Sequence, residues 1–161
     1  MEGEIVNTME EADLVVAEGG SDVPYQHYAS KGHPATWGYS RGDHEYKTLK
    51  KAISLNKRIW GTCKGLQWAC VLAGGKLIQD LSHPWMHPII TREGDVLHVN
   101  SMHHQAIYPF DLPKEDYQLI AWAENLSNHH EDGDMNEMNP PVEPEIAYFP
   151  KIKFIGSNFY T

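Results

Sequence analysis

The stretch KRIWGTCKGLQWACVLAGG, Lys57 to Gly75, constrains the fold more than any other part of the chain. KRIWGT has the composition of a strand, and LQWACVLAG that of a largely apolar helix closed by Gly74 and Gly75. Only a tight turn can join them, and Cys63 occupies it, with Gly61 and Gly65 two residues away on either side. A sharp strand-to-helix turn leaves little room for side chains, so glycine is favoured beside the turn residue. The pattern G-x-Cys-x-G is that of a nucleophile elbow, with cysteine in the place of serine.

The placement has chemical consequences. At the amino end of a helix beginning near Lys64, the dipole and the free backbone N–H groups favour a thiolate. The N–H of Lys64 can point at a developing oxyanion, and a second donor can come from the Gly19-Gly20 turn. A free cysteine is also among the most buried residue types, and Cys70, inside WACVLAG, reads as a small hydrophobe. The two cysteines, seven apart near one helix, are poor disulfide partners. Two free thiols, with no secretory leader pattern, point to a reducing cytoplasmic compartment. No apolar run reaches the length of a bilayer crossing. A net charge of −9 argues against a nucleic-acid-binding face.

Around this unit the chain reads as one domain over its 161 residues. GEIVNTMEEA predicts a helix over Gly3–Ala12, and Leu14–Ala17 a buried parallel strand ended by Gly19-Gly20. Ser21–Asp43 forms a long excursion of the kind that covers a site. A helical face follows over His44–Asn56. DVLHVNS and YQLIAWAE read as strands, and EIAYF with KFIGSNF as a hairpin around Pro150-Lys151. The order predicts an α/β sheet, mostly parallel with antiparallel additions, and a site at the carboxyl ends of its strands.

GTCKGLQ, followed by AGGKLIQDL and VNSMHHQA, resembles class I glutamine amidotransferase-like proteins, and within them the γ-glutamyl-γ-aminobutyrate hydrolase branch, peptidase family C26. LVVAEGGSDVPYQHY is similar to that branch's Gly-Gly-x-Asp-Val segment. The resemblance implies a flavodoxin-like three-layer sandwich and a cysteine-dependent hydrolase acting on a γ-glutamyl amide through a thioester. Carried over residue by residue, Cys63 is the nucleophile and the amides of Gly20 and Lys64 form the oxyanion hole. Gln67 helps hold the glutamyl group, and Ser101, His103 and His104 line the same pocket. The small-molecule substrate stands beside a synthetase or other protein partner if ammonia is passed on. No metal or organic cofactor is implied.

The chain departs from the family at both ends. Members begin with a further strand, whereas here Met1 almost meets the first expected helix. They also carry a His-Pro-Glu motif after the last core strand, and here that place reads KFIGSNFYT. Tyr160 stands where the catalytic histidine is expected and Thr161 where the proline is. Tyrosine, with a pKa near 10, is a poor base at neutral pH. A second reading follows, in which the chain is a catalytically degenerate member that binds a ligand or a partner protein.

Other signals are weaker. Asp132–Glu143 resembles a calcium loop, but Glu137 stands where such a loop needs glycine, so it reads as a solvated acidic loop. In HPWMHP, His83 and His87 have metal-ligand spacing without an obvious third ligand, and a turn packing Trp85 and Met86 is the expected arrangement.

Overall fold

Short β-branched runs and one apolar helix organise the chain. The structure is a computed structural model that describes residues 3–37 and 41–160. Strand β1 (Leu14–Ala17) lies parallel to β2 (Arg58–Thr62), which lies parallel to β11 (Phe154–Ser157). From β11 the sheet continues antiparallel through β10 (Glu143–Phe149), β8 (Gln118–Ala123), β5 (Met86–Thr91) and β6 (Val96–Asn100). The α/β architecture with antiparallel additions is thus present. Its parallel part is the three strands that carry the cysteine elbow, and the additions are four strands. Two small antiparallel pairs complete it: β3 (Lys76–Ile78) with β7 (Ala106–Tyr108), and β4 (Asp80–Leu81) with β9 (His130–Glu131).

Helix α1 (Arg41–Ser54) spans the predicted His44–Asn56 region, and α2 (Lys64–Leu72) follows β2 directly. Leu66, Ala69 and Cys70 of α2 join Ile59, Leu77, Ile107, Ala147, Phe149 and Phe154 in the main core. A second apolar cluster of Ile89, Val99, Ala121, Ala123 and Phe159 lies on the antiparallel side. Among the described residues no helix is long and apolar enough to cross a membrane.

Three expectations need correction. Gly3–Ala12 is not a helix: Ala12 N–H donates to the Met9 carbonyl at 3.3 Å in a single turn, and Ile5 stands exposed. A segment that short has no helical stability of its own, and only Met9 of its apolar residues packs against the main core while Ile5 stays exposed. Strand β1 is an edge strand, with Leu14 51% and Val16 59% exposed, because its outer edge has no neighbour in the sheet. In HPWMHP, Trp85 and Met86 face outward while His87 is buried, since Met86 opens β5 and alternation carries His87 and Ile89 to the covered face. The short strands β3, β4, β7 and β9 have too few residues to show a period. Of the Ser21–Asp43 excursion, residues 38–40 lie outside the described residues, as does Thr161.

Candidate active site

The elbow forms where the backbone has least freedom. Cys63 caps α2 with φ 52° and ψ −108°, a left-handed value that non-glycine residues seldom adopt and that recurs at functional turns. Its N–H donates to the Ser157 carbonyl at 2.6 Å, tying the turn to the end of β11. A Cβ on Gly61 would stand 2.5 Å from the Gly65 carbonyl carbon, and one on Gly65 would collide with the Ala17 carbonyl oxygen. The glycines on either side of Cys63 are therefore fixed by the close approach of three backbone segments.

Cys63 is 5% exposed, and its sulfur lies near the Lys64 backbone N–H and the Tyr160 hydroxyl, both of which favour the charged form. Burial pushes the thiol pKa up; the two donors oppose this, and the charges of Asp22 and Glu145 add to the rise. Tyr160 is itself pushed up to about 12 by burial and by the adjacent sulfur. Its ring lies over Gly19, where any Cβ would collide with it. Cys63 is thus a thiol at neutral pH, and the hydroxyl beside it is a hydrogen-bond donor with no capacity to take its proton. Cys70 is inert by contrast, buried in the core with its thiol donating to the Lys76 carbonyl at 3.3 Å.

Gly20 lies against the Lys64 side chain, 3.6 Å from its Cδ to an added Cβ, so the two expected oxyanion donors come from adjoining segments. The Lys64 ammonium is buried and pairs with Glu45 at 2.7 Å, and Glu45 also accepts from the Trp68 indole at 3.0 Å. Gln67 donates through Nε2 to the Gln105 carbonyl at 3.0 Å, which the His103 ring also reaches at 2.9 Å. Gln105 in turn accepts from Val23 N–H at 3.2 Å. Of the expected ligand residues, Gln67 and His103 thus meet at the Gln105 carbonyl, with the Gln67 amide already bonded there.

His104 and His103, adjacent in sequence, enter different surroundings. His104 lies between Asp22, at 2.9 Å from Nε2, and Asp80, at 3.2 Å from Nδ1. The Asp22 hydrogen bond, followed by its charge and the Asp80 contacts, raises the His104 pKa against the effect of burial. His103 is buried beside His83, and that burial lowers its pKa. Ser101 hydroxyl lies 3.3 Å from His83 Nδ1.

Sequence reasoning did not assign Asp22, Glu143 or Glu145. Asp22 lies in the Gly-Gly-x-Asp-Val segment, and its charge reaches both Cys63 and His104. Glu143 and Glu145 alternate on β10 and are 0% exposed, and a register shift between Pro144 and Ile146 marks a bulge at Glu145. Bulges re-aim side chains and are over-represented next to active sites. A Glu-x-Glu pair inside an apolar strand pattern was the available signal.

Comparison with known proteins gives this geometry a context. Residues 1–95, which include the elbow, match the family described as Peptidase C26. The glutamine amidotransferase-like protein YvdE of Lactococcus lactis subsp. lactis is 32% identical over 127 residues, 64% of this chain and 54% of that one. Protein NtpR of Enterococcus hirae is 29% identical over 125 residues, covering 62% of this chain and 52% of its own. The chain spans about half the length of these curated relatives. The crystal structure of a glutamine amidotransferase from Thermotoga maritima superposes over 98% of this chain and 59% of that one, with a TM-score of 0.61 at 15% identity. That likeness shows a shared glutamine amidotransferase-like α/β fold, consistent with flavodoxin-like layering. The elbow and the match that runs through it give the lineage: the chain belongs to the Peptidase C26 family of glutamine amidotransferase-like proteins.

Proposed function

We propose that the chain is a cysteine-dependent, glutamine amidotransferase-like hydrolase that cleaves a γ-glutamyl amide, as in the γ-glutamyl-γ-aminobutyrate hydrolase branch. The observation that carries this reading is the left-handed backbone of Cys63 at the amino end of α2, between two glycines fixed by close backbone approach. A strained cysteine held at that place is what an acyl-accepting nucleophile requires. In the proposed reaction the sulfur attacks the amide carbonyl, and the oxyanion takes the N–H groups of Lys64 and Gly20. The amine then leaves with a proton, and water hydrolyses the thioester. Asp22 offers an anionic partner for the ammonium group of the glutamyl moiety. Gln67, Ser101, His103 and His104 shape the surrounding wall. With its two free thiols, the chain fits a reducing cytoplasmic setting, and ammonia passed on rather than released would go to a synthetase partner.

The rate is expected to be low. Loss of a general base costs roughly 100- to 10,000-fold, and Tyr160 holds the place beside the sulfur where a base would act. The same contact favours a second reading, a ligand- or partner-binding member that keeps the elbow without turnover. Ammonia release from glutamine and from a panel of γ-glutamyl amides separates the two. Slow release that disappears in Cys63→Ala supports the hydrolase. Equal silence of wild type and variant, with calorimetric binding of a γ-glutamyl amide to both, establishes the binding module instead.

A further inference from the structure

Behind the elbow, on the antiparallel side of the sheet, four side chains from four separate segments meet out of contact with water. His83 lies between β4 and β5, His87 lies on β5, His103 lies between β6 and β7, and Glu145 lies at the bulge of β10. Their side chains are at most 2% exposed. Three ring nitrogens converge on one carboxylate oxygen, Glu145 Oε1: His87 Nε2 at 3.4 Å, His83 Nδ1 at 3.8 Å and His103 Nε2 at 3.9 Å. The donor atoms of His83, His103 and Glu145 all lie within 4.8 Å of one another. The longer two separations exceed hydrogen-bond distance. Both Glu145 oxygens, His103 Nε2, both nitrogens of His87, His83 Nε2 and Glu143 Oε2 have no hydrogen-bond partner among the described residues. Buried polar atoms left in this state are costly, and each needs a cause.

We propose that His83, His103 and Glu145, with His87 beside them, form a buried binding site for one divalent first-row transition metal, zinc(II) in the first instance. Zinc bonds of about 2.0–2.1 Å to nitrogen and oxygen place tetrahedral ligand atoms about 3.4 Å apart. The His87–Glu145 separation has that value, and the ligand atoms of His83, His103 and Glu145, within 4.8 Å of one another, would draw together on the ion. The lone pairs are already assigned. His103 Nδ1 lies 2.9 Å from the Gln105 carbonyl, an N–H donor position that leaves Nε2 free to ligate. His83 Nε2 lies 2.7 Å from Glu143 Oε2, and its Nδ1 lies between Glu145 Oε1 at 3.8 Å and the Ser101 hydroxyl at 3.3 Å, a contact a metal would displace. Metal-bound histidines characteristically donate their second nitrogen to a carbonyl or carboxylate, as the position of His103 Nδ1 against Gln105 allows. Glu143 is fixed in turn by the N–H groups of Leu126 and Ser127, at 3.2 and 2.9 Å, and by His130 at 2.7 Å.

Charge supports the same assignment. Glu143 and Glu145 are both fully buried, and two carboxylates held out of water are expensive unless positive charge faces them. A single dication neutralises both. Imidazole and carboxylate donors without thiolate suit zinc, cobalt or nickel, and magnesium prefers oxygen ligands and its own waters. His83, His103 and Glu145 supply three ligands, and His87 Nε2, 3.4 Å from Glu145 Oε1, adjoins the fourth position. The neighbouring group of His33, Asp80 and Glu131 has no such need: His33 bonds Glu131 at 3.0 Å, and Asp80 is taken by His104 and His129.

The test is cobalt(II) titration of the intact, chelator-treated chain, with zinc(II) competition and magnesium(II) as control. The proposal expects uptake of one cobalt per chain, visible absorption of four-coordinate intensity, no sulfur-to-cobalt charge-transfer band, and displacement by zinc with a rise in Tm. The Cys63→Ala chain should give the same spectrum, and Glu145→Gln and His103→Gln should lose it. Absence of stoichiometric uptake by the wild type overturns the proposal whether or not the variants fold. A thiolate charge-transfer band, or uptake unchanged in both folded variants, overturns it as well.

Discussion

The two halves of the sheet solve opposite problems. On the parallel side, β1, β2, β11 and α2 bring backbones so close that only glycine fits at residues 61 and 65. On the antiparallel side, β10, β8, β5 and β6 hold apart a chamber of buried imidazoles and carboxylates. The first half positions one reactive atom by steric exclusion. The second positions charge by convergence of segments that are distant in sequence. Glu145 joins them: its carboxylate lies in the chamber, its carbonyl accepts the Asn158 N–H at 2.8 Å, and its charge is felt at Cys63.

Breaking the antiparallel half should have the largest effect. Glu143→Ala removes the acceptor of two backbone N–H groups and the partner of His83 and His130. Removing one member of a buried ion pair costs about 3–5 kcal/mol, to be read from urea unfolding. A loss below the level of an ordinary surface substitution would mean that the chamber is not held by this carboxylate.

The elbow half is sharpened next by Tyr160→His. The substitution puts an imidazole beside the sulfur, and the account expects ammonia release to rise about 100-fold, which is about 2.7 kcal/mol of barrier. Tyr160→Phe should leave the basal rate unchanged within a small factor. An equal rate in all three chains would detach Tyr160 from the chemistry.

Gly65→Ala comes third. Its methyl group meets the Ala17 carbonyl, so β1 or α2 must shift. Overpacking of this kind costs about 1–3 kcal/mol, and the Tm should fall accordingly. Thiol labelling should speed up as the elbow loosens.

The smallest effect is that of His104. Its folded pKa is raised, so its contribution to stability is complete below its unfolded pKa of about 6.5 and fades as pH rises through the folded value. The group is partly exposed, so the contribution is under about 1 kcal/mol. Denaturation midpoints of wild type and His104→Gln should differ at pH 6 and converge by alkaline pH.

The contrast also explains what the sequence made legible. Strand, elbow and helix follow one another without interruption, so KRIWGTCKGLQWACVLAGG displays both the geometry and its glycines. Tyr160 was placed by its distance from Phe154-Ile155-Gly156 at the end of the last strand, and it lies against the sulfur as that register requires. The chamber was not legible. His83 and His87 drew notice as a pair, but their companions are 16 and 58 residues further along the chain from His87. Only the folded register of β5, β6 and β10 brings them together. The first segment differs for another reason: GEIVNTMEEA has helical spacing, but Met9 alone of its large apolar side chains reaches the core, and Ile5 and Val6 stay exposed.

The most direct test of the account is intact-mass analysis after incubation with a glutamine analogue that carries an electrophilic γ-carbonyl. Such a reagent captures a nucleophile even where turnover is slow. The account predicts a single adduct on Cys63, slowed by excess glutamine, absent in Cys63→Ala, with Cys70 untouched. An unmodified chain, or labelling that glutamine does not slow, would contradict a γ-glutamyl-directed nucleophile at the elbow.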